Sequence, residues 1–266
     1  MSIDDVRPSR LSRPGCEVAY NTRASTSGRW VVLLHGAGMD GHMFDAQLPA
    51  LPDDVGIVCW DARGHGASTL DGPFRYTDML DDLVALVELL DPVDLTLVGQ
   101  SMGGNLAQSY VAAHPDGVSR LVLIDCSDNH GPLAWLQRLA LRSTPLVMRA
   151  YPCRALVDQS ARACGTRPAT IAYAADRLRR TGRERFIEVM RFWTDALTPD
   201  PPYRLPVPTL AIVGAEDRSG NIAAAMAALA ARDPQVRLET VPSAAHNANM
   251  DQPDLVNELL ADFLGS

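Results

Sequence analysis

The chain has 266 residues, of which 47% are hydrophobic and 21% are charged, so it can bury a large core without disulfides or metal ions. Its formal net charge of -8 argues against a broad electrostatic surface for nucleic acid or for an anionic membrane, and no apolar run is long enough to span a bilayer. We therefore expect a small-molecule substrate, and neither nucleic acid nor a membrane as partner.

Short β-rich apolar runs alternate with segments of helical period along most of the chain. This alternation predicts an α/β protein with a mostly parallel, twisted sheet flanked by helices. The predicted strands are Trp30–Leu34, Gly56–Trp60, Leu95–Val98, Leu121–Ile124, Thr209–Val213 and Val236–Val241. The predicted helices are one capped by Thr77 and stopped by Pro92, and then Met102–Ala113, Asn221–Ala231 and Pro253–Leu264.

The alternation lapses after the fourth predicted strand, where only helical segments follow one another. These are Trp135–Leu141, Leu146–Ala163, Ala169–Arg180 and Arg183–Leu197. We interpret residues 131–200 as a helical cap subdomain, and residues 1–130 and 201–266 as the core domain. A proline-rich stretch at the end of the cap favours extended backbone and returns the chain to the sheet.

Cysteine usage and the start of the chain bear on the cellular compartment. The five cysteines are scattered, with no Cys-x-x-Cys pair and no histidine at metal-ligand spacing, which favours free thiols and predicts no metal site. Residues 1–14 are polar and lack the apolar stretch of a secretory signal. We expect a cytoplasmic protein that needs no cofactor.

The strongest local signal is the segment from Leu95 to Gly104, Leu-Thr-Leu-Val-Gly-Gln-Ser-Met-Gly-Gly. An apolar strand leads into a Gly-x-Ser-x-Gly turn and then into a helix, which is the arrangement of a nucleophile elbow. The two glycines of the turn lack the Cβ atoms that would obstruct so sharp a reversal, and the helix N-terminus favours developing negative charge. The segment therefore predicts Ser101 as a nucleophile.

A serine hydroxyl needs a base, itself held by a third group, to act at neutral pH. Of the six histidines, His246 follows the last predicted strand and precedes the last helix, which fits the chain order serine, acid, histidine. We predict His246 as the base and Asp217, at the end of the next-to-last strand, as the acid. Glu216, Asp125 and Asp128 remain rivals for the acid, because carboxylates in either place can reach the imidazole.

The oxyanion of a tetrahedral intermediate needs preorganised N–H donors. The first predicted donor is the backbone N–H of Met102, directly after the nucleophile. The second is the N–H of Ala37, in the His-Gly-Ala-Gly turn that follows the first predicted strand. We expect Gly36 of this turn to lie against the substrate, and His35 to brace the turn.

Four segments resemble the α/β-hydrolase superfamily in the same order, and the resemblance covers nearly the whole chain. They are the turn 35–38, the loop 61–68 (Asp-Ala-Arg-Gly-His-Gly-Ala-Ser), the elbow 99–103, and Gly214-Ala-Glu-Asp217 followed by His246. The resemblance implies the α/β-hydrolase fold, with a helical cap inserted after strand 6 and no cofactor. The loop 61–68 is structural in that family, so it contributes no candidate catalytic residue. Serine at position 101 resembles the ester-cleaving branches and disfavours those that use aspartate there.

We expect a serine hydrolase that cleaves a carboxylic ester or lactone of a small to medium, apolar molecule through an acyl-enzyme intermediate. Two alternatives use the same triad, namely hydrolysis of a carbon–carbon bond in a diketone and hydrolysis of an acyl thioester. A third is a ligand-binding module that keeps the pocket without turnover. No oligomeric state is predicted.

The predicted cap is rich in arginine, with twelve arginines against six acidic residues, in a chain without lysine. Five of these arginines bunch together, namely Arg177, Arg179, Arg180, Arg183 and Arg185. One hypothesis is that they attract an anionic substrate or an acidic carrier protein, and the alternative is a solvated helical face. Trp135 and Trp193 are candidate walls of a substrate pocket, or else part of the core of the cap.

Overall fold

A computed structural model describes residues 6–265, and its strands form one sheet. Eight strands are present within these residues. They are β1 (Arg7–Arg13), β2 (Cys16–Arg23), β3 (Arg29–Leu34), β4 (Gly56–Trp60), β5 (Asp94–Gln100), β6 (Arg120–Ile124), β7 (Thr209–Gly214) and β8 (Val236–Val241). The order across the sheet is β1-β2-β4-β3-β5-β6-β7-β8. Strands β3 to β8 are parallel, whereas β1 and β2 form an antiparallel hairpin that pairs with β4.

The helices of the described residues alternate with the parallel strands except in one stretch. They are α1 (Tyr76–Leu90), α2 (Met102–Ala113), α3 (Trp135–Ala150), α4 (Cys153–Cys164), α5 (Pro168–Thr181), α6 (Arg183–Phe192), α7 (Ile222–Arg232), α8 (Ala248–Asp251) and α9 (Pro253–Gly265). Four consecutive helices, α3 to α6, separate β6 from β7. This is the α/β-hydrolase fold that the sequence predicted, with helices inserted after strand 6.

The strand order predicts where along the sheet a ligand-binding crevice forms. The chain passes from β3 to β4 on one side and then to β5 on the other, so β3 and β5 are neighbours whose connections leave in opposite directions. In open parallel sheets a crevice forms outside the carboxyl ends of such strands, and ligands bind there. Here the crevice lies where β3 ends at Leu34 and β5 ends at Gln100.

The core lies on both faces of the sheet. On one face, Leu83 of α1, Leu106 of α2 and Met226 of α7 are fully buried against the strands. On the other face, Leu260 of α9 is buried together with Phe44, which lies in a short 3-10 helix after β3. Burial on both faces explains why the inner strands are almost continuously apolar.

The four inserted helices pack onto the core without a large core of their own. Leu178 of α5 belongs to the cluster that contains α9, whereas Val189 of α6 belongs to the cluster on the opposite face. A small separate cluster joins Met148, Leu156 and Ile187 from three of the helices. The insertion therefore packs above the sheet edge where the crevice opens.

The β1–β2 hairpin was not predicted from the sequence. Strand β1 reads Arg-Pro-Ser-Arg-Leu-Ser-Arg and alternates between exposed and half-buried positions, because it is the edge strand. Such a strand lacks the apolar run that identifies the buried strands. Its seven residue pairs with β2, from Arg7 and Thr22 to Arg13 and Cys16, fix it in place.

Two predicted helix boundaries are wrong. The predicted interruption between Leu141 and Leu146 is absent, because α3 continues through Pro145, whose ring is buried. A proline removes one helical hydrogen bond but does not have to end the helix, and the break comes instead before Pro152. Helix α1 begins at Tyr76, so Thr77 lies in its first turn and does not cap it.

Two further observations concern the predicted compartment. Between residues 6 and 265, every helix is too short or too polar to cross a membrane. The predicted lack of a secretory signal concerns residues 1–14, of which residues 1–5 lie outside the described part of the chain.

Candidate active site

Ser101 occupies the turn between β5 and α2 with a backbone φ of 50°. A residue with a side chain at positive φ costs on the order of 1–3 kcal/mol and persists only where its surroundings enforce it. Here the enforcing contact is a close approach of two glycines, because a Cβ atom on Gly99 would collide with the backbone of Gly103. A Cβ atom on Gly103 would in turn collide with the carbonyl of Leu34. The turn therefore presents Ser101 at the crevice between β3 and β5.

The structure brings Ser101, His246 and Asp217 together. His246 Nε2 lies 2.9 Å from Ser101 Oγ, and His246 Nδ1 lies 3.0 Å from Asp217 Oδ2. Asp217 Oδ1 accepts the backbone N–H of Ser219 at 2.8 Å, which fixes the carboxylate in the loop after β7. Both carboxylate oxygens are thus engaged, and the imidazole is aligned between acid and hydroxyl. This is the order of contacts that a serine–histidine–acid triad requires.

The three rival carboxylates are directed elsewhere. Both oxygens of Asp125 accept backbone N–H groups, from Gly214 at 2.7 Å and from Ala248 at 2.9 Å. Asp128 forms an ion pair with Arg232 at 2.6 Å. Glu216 is exposed to solvent.

The pKa values of Asp217 and Asp125 are shifted in opposite directions. Burial opposes the charge on Asp217, but its hydrogen bond to His246 and the charge of that histidine lower the pKa of Asp217 below its ordinary value. Burial raises the pKa of Asp125 to about 8, against the charge of His246 and the two backbone donors. Asp217 is therefore the carboxylate that stays ionised against the imidazole.

The pKa of His246 itself is raised above its ordinary value. Burial disfavours the imidazolium, but the hydrogen bond to Asp217 and the charge of Asp217 outweigh burial. The histidine is therefore a stronger base than a free imidazole. An imidazole placed in this way can take the proton of Ser101 Oγ when it is neutral.

The turn after β3 lies directly beside Ser101. A Cβ atom on Gly36 would lie 3.2 Å from the Cβ atom of Ser101, so the two turns are in contact. Met102 is the first residue of α2, and the first N–H groups of a helix have no acceptor within it. Ala37 lies half-buried in the neighbouring turn. The two predicted oxyanion donors thus belong to turns that meet beside Ser101, and their role stays a prediction.

His35 braces this turn, as its position in the sequence suggested. The ring is fully buried, its Nε2 accepts the backbone N–H of Ala62 at 2.9 Å, and its Nδ1 lies 2.8 Å from the carbonyl of Gly36. Burial lowers the pKa of His35, and an Nε2 that accepts an N–H carries no proton itself, so the ring is neutral. Asp61 holds the same region by accepting the N–H groups of Gly41 and Ala67. These contacts fix the backbone of the turn from behind.

Sequence reasoning missed two residues that hold the loop around His246. Gln100 Nε2 donates to the backbone carbonyl of His246 at 2.7 Å and links this loop to the serine turn. Asp251 Oδ2 accepts the N–H of Ala245 at 2.9 Å and that of Thr166 at 2.8 Å. Gln100 could have been noticed as the residue before Ser101, whereas Asp251 reads only as an acid near the start of a helix.

The last residue of α4 and the segment that follows it contact this loop on both sides of His246. Asn247 donates its N–H to the carbonyl of Cys164 at 2.7 Å, and Thr166 Oγ1 donates to the carbonyl of Ser243 at 2.9 Å. Together with the bonds to Asp251, these contacts make the inserted helices part of the support of the imidazole.

A cavity of about 210 Å³ lies between the inserted helices and the loops after β6 and β7. Its walls are mostly apolar, with Leu141, Trp193 and Leu197 among them. Trp193 Nε1 donates at 2.8 Å to Asn105, which lies one helical turn after Ser101. Trp193 therefore lines a cavity beside α2, whose walls do not include Ser101 or His246, and its contact with substrate stays a prediction.

The structure does not bring Trp135 to the site. Its side chain is 72% exposed and borders a shallow surface recess with Arg138 and Leu139. A single aromatic residue in a helical segment does not reveal which face of the helix it occupies, and here that face points to solvent.

Each of the five clustered arginines forms an ion pair with a carboxylate. The pairs are Arg177 with Asp40 and Asp176, Arg179 with Asp158, Arg180 with Asp176, Arg183 with Glu184, and Arg185 with Glu188. The predicted attraction of an anionic substrate or carrier protein to this cluster stays a prediction. Within residues 6–265, His, Cys, Asp and Glu side chains do not form a group able to hold a metal ion.

The sequence matches the Alpha/beta hydrolase family over residues 31–259, and the chain therefore belongs to this family. Among its relatives, a serine hydrolase-like protein of Danio rerio is 34% identical over 119 residues, which are 44% of this chain and 36% of that protein. The match thus spans about a third of that relative. A putative carbamate hydrolase RutD of Caulobacter vibrioides is 26% identical over 261 residues and covers 90% of this chain and 91% of that protein.

Solved structures agree with the assignment. The enol-lactonase from Burkholderia xenovorans LB400 superposes with a TM-score of 0.81 at 25% identity, over 97% of this chain and 100% of that one. The chain is thus similar over most of its length to a putative carbamate hydrolase and to an enol-lactonase.

Proposed function

We propose that this chain is a serine hydrolase that cleaves a carboxylic ester or lactone of a small to medium, apolar molecule. The observation that supports it most directly is the 2.9 Å contact between His246 Nε2 and Ser101 Oγ, with Asp217 behind the imidazole. A neutral imidazole in hydrogen-bond contact with a serine on a strained turn is the arrangement that activates a hydroxyl nucleophile.

In the proposed reaction Ser101 Oγ attacks the carbonyl carbon while its proton passes to His246 Nε2. The N–H groups of Ala37 and Met102 hold the resulting oxyanion. The carbon–oxygen bond to the leaving alkoxide then breaks, and the imidazolium gives its proton to that oxygen. A water molecule, deprotonated by His246, attacks the acyl carbon and releases the acid, and Ser101 regains its proton. Asp217 keeps the imidazole in the right tautomer and stabilises its charged form.

The apolar cavity supports the proposed size and character of the substrate. The cavity of about 210 Å³ is lined by Trp193 and leucine side chains, although not by Ser101 or His246, and suits a short apolar group. The similarity to an enol-lactonase over 97% of the chain supports ester or lactone chemistry. We also propose a cytoplasmic location, because all five cysteines are unpaired, as is usual in a reducing compartment.

A fluorophosphonate probe tests the nucleophile. We expect stoichiometric labelling of the wild-type protein at Ser101, no labelling of Ser101→Ala, and strongly slowed labelling of His246→Ala. Ser27→Ala, at an exposed position far from the site, is the matched control and should label like the wild type. Equal labelling of Ser101→Ala would refute the proposal.

A panel of p-nitrophenyl esters of graded acyl length tests the bond that is cleaved. We expect turnover of short esters and a steep fall with chain length. Release of acid and ketone from a diketone, without any ester turnover, would favour carbon–carbon hydrolysis instead. Labelling without turnover of any ester, lactone, thioester or diketone would favour a binding module.

A further inference from the structure

Exposed large hydrophobic side chains are concentrated on one helix of this protein. Of the eight in the described residues, five lie on α3, at positions 135, 136, 139, 146 and 147. Trp135 and Leu146 are each 72% exposed, and Leu139 is 59% exposed. Scattered apolar residues on a surface are ordinary, but a contiguous group on one element marks an interaction surface.

The outer face of α3 combines these residues with arginines. Trp135, Leu139, Arg142, Leu146 and Arg149 follow one another at spacings of four, three, four and three residues, which places them on one side of a helix. The side of α3 that carries Pro145 and Met148 turns inward, and both of these residues are buried. We call the outward side, together with Arg138, the α3 face.

All charged side chains of the α3 face are positive. Helix α3 contains three arginines, Arg138, Arg142 and Arg149, and no acidic residue. Within residues 6–265, none of these guanidinium groups forms an ion pair, in contrast to the five arginines of α5 and α6 described above. Arg154, Arg162 and Arg191 on the other inserted helices also form no ion pair within these residues, but α3 is the inserted helix on which such arginines accompany exposed tryptophan and leucine.

We propose that the α3 face docks onto an anionic lipid surface. A basic helix with tryptophan and leucine on the contacting side lies in the plane of an interface, with its apolar groups among the acyl chains and its arginines at the phosphates. A cytoplasmic leaflet carries the anionic lipids that such a helix requires. The net charge of -8 led us to expect no membrane partner, but docking depends on the local charge of α3 and not on the charge of the whole chain.

A second copy of the chain fits the α3 face less well. In a two-fold symmetric dimer the same face meets itself, so the three arginines of one helix would face the three of the other without a carboxylate between them. A lipid surface supplies the opposite charge and an apolar layer at once.

Docking would also bring the apolar cavity beside α2 to the interface. Leu141 on the inner side of α3 lines the cavity of about 210 Å³, so the helix lies over the cavity and its outer face would touch the lipid. Apolar esters concentrate in such a layer.

Co-sedimentation with vesicles tests the proposal without any need for catalysis. We expect the wild-type protein to pellet with vesicles of phosphatidylcholine and phosphatidylglycerol and to stay in the supernatant with phosphatidylcholine alone. The triple variant Arg138→Gln, Arg142→Gln, Arg149→Gln should lower the partition coefficient on the order of 100-fold, since each basic residue near such a surface contributes about a factor of five. Trp135→Ser with Leu139→Ser and Leu146→Ser should lower it at least about tenfold.

Two matched controls separate the α3 face from general effects of charge or hydrophobicity. Arg7→Gln with Arg10→Gln and Arg75→Gln removes the same charge at exposed positions elsewhere, and Leu89→Ser with Val93→Ser removes other exposed apolar groups. Both should bind vesicles like the wild type, and circular dichroism should show every variant folded.

Three outcomes would overturn the proposal. The first is wild-type protein that fails to pellet with anionic vesicles. The second is the absence of a difference between variants: the α3 variants pellet like the wild type, or the controls lose as much binding as the α3 variants. The third is a wild-type dimer, or a complex with an acidic carrier protein, that depends on the α3 face while vesicles are not bound.

Discussion

Asp251 accepts a hydrogen bond at 2.9 Å from the backbone nitrogen of Ala245, the residue immediately before His246. The same carboxylate oxygen binds the N–H of Thr166, in the segment between α4 and α5. One buried side chain thus joins the inserted helices to the loop of the proposed base.

Asp251→Asn tests this link. An amide nitrogen in place of one oxygen would face backbone donors, so the loop should shift, and we expect kcat for a short ester to fall about 10- to 100-fold with little change in KM. Asp254→Asn, three residues further along at an exposed position, is the control and should behave as the wild type. A purely structural role would instead lower thermal stability and leave kcat and its pH profile unchanged.

The two buried carboxylates near His246 predict opposite consequences of the same substitution. Asp217→Asn leaves the shape of the site but removes the charge behind the imidazole, so kcat should fall about 10⁴-fold. Asp125→Asn should leave kcat within about tenfold and destabilise the fold by about 1–3 kcal/mol, because one backbone donor loses its acceptor. Steady-state kinetics and urea unfolding of both variants separate the roles. If Asp125→Asn loses as much activity as Asp217→Asn, the assignment of the acid is wrong.

The raised pKa of His246 predicts the acid side of the pH profile. The base works only when neutral, so kcat/KM should decrease as the pH falls through a pKa above the ordinary histidine value of about 6.5. In Asp217→Asn the residual activity should show this decrease at lower pH, because the group that raises the pKa most has lost its charge. If kcat/KM decreased at the same pH in the wild type and in Asp217→Asn, a group other than His246 would be responsible for the decrease.

The indole of Trp193 predicts substrate preference. Trp193→Ala enlarges the cavity, so the ratio of kcat/KM for octanoyl over butyryl p-nitrophenyl esters should rise about tenfold or more. Trp193→Phe keeps the ring but loses the hydrogen bond to Asn105, and should change the ratio less. Trp135→Ala, at an exposed position, is the control and should leave the ratio unchanged.

The roles of Ser101 and His246 could be predicted from the sequence because the residues on either side of each identify the strand, turn or helix next to it. A strand, a glycine-rich turn and a helix surround the serine within ten residues, and the histidine follows the last strand. The choice between Asp217 and Asp125 was harder, since both follow buried strands, and only the path of the loops decides which carboxylate reaches the imidazole. The structure shows that contact for Asp217.

Other features could not be predicted because they depend on partners distant in the sequence. Asp251 acts on a segment 85 residues away, and no local pattern signals that contact. Strand β1 was missed because an edge strand needs few apolar residues. The predicted break in the helix near Pro145 was wrong, because burial of the proline ring compensates for the one backbone hydrogen bond that the helix loses there.

The polar character of β1 has a consequence for the behaviour of the protein at high concentration. An open edge strand offers unpaired backbone groups to any other chain, and proline and charged side chains discourage such addition. Strand β1 carries Pro8 with arginines at 7, 10 and 13, and the opposite edge strand, β8, carries Arg237 and Glu239. Both edges of the sheet thus resist the growth of intermolecular β-structure, which protects this largely parallel sheet against aggregation.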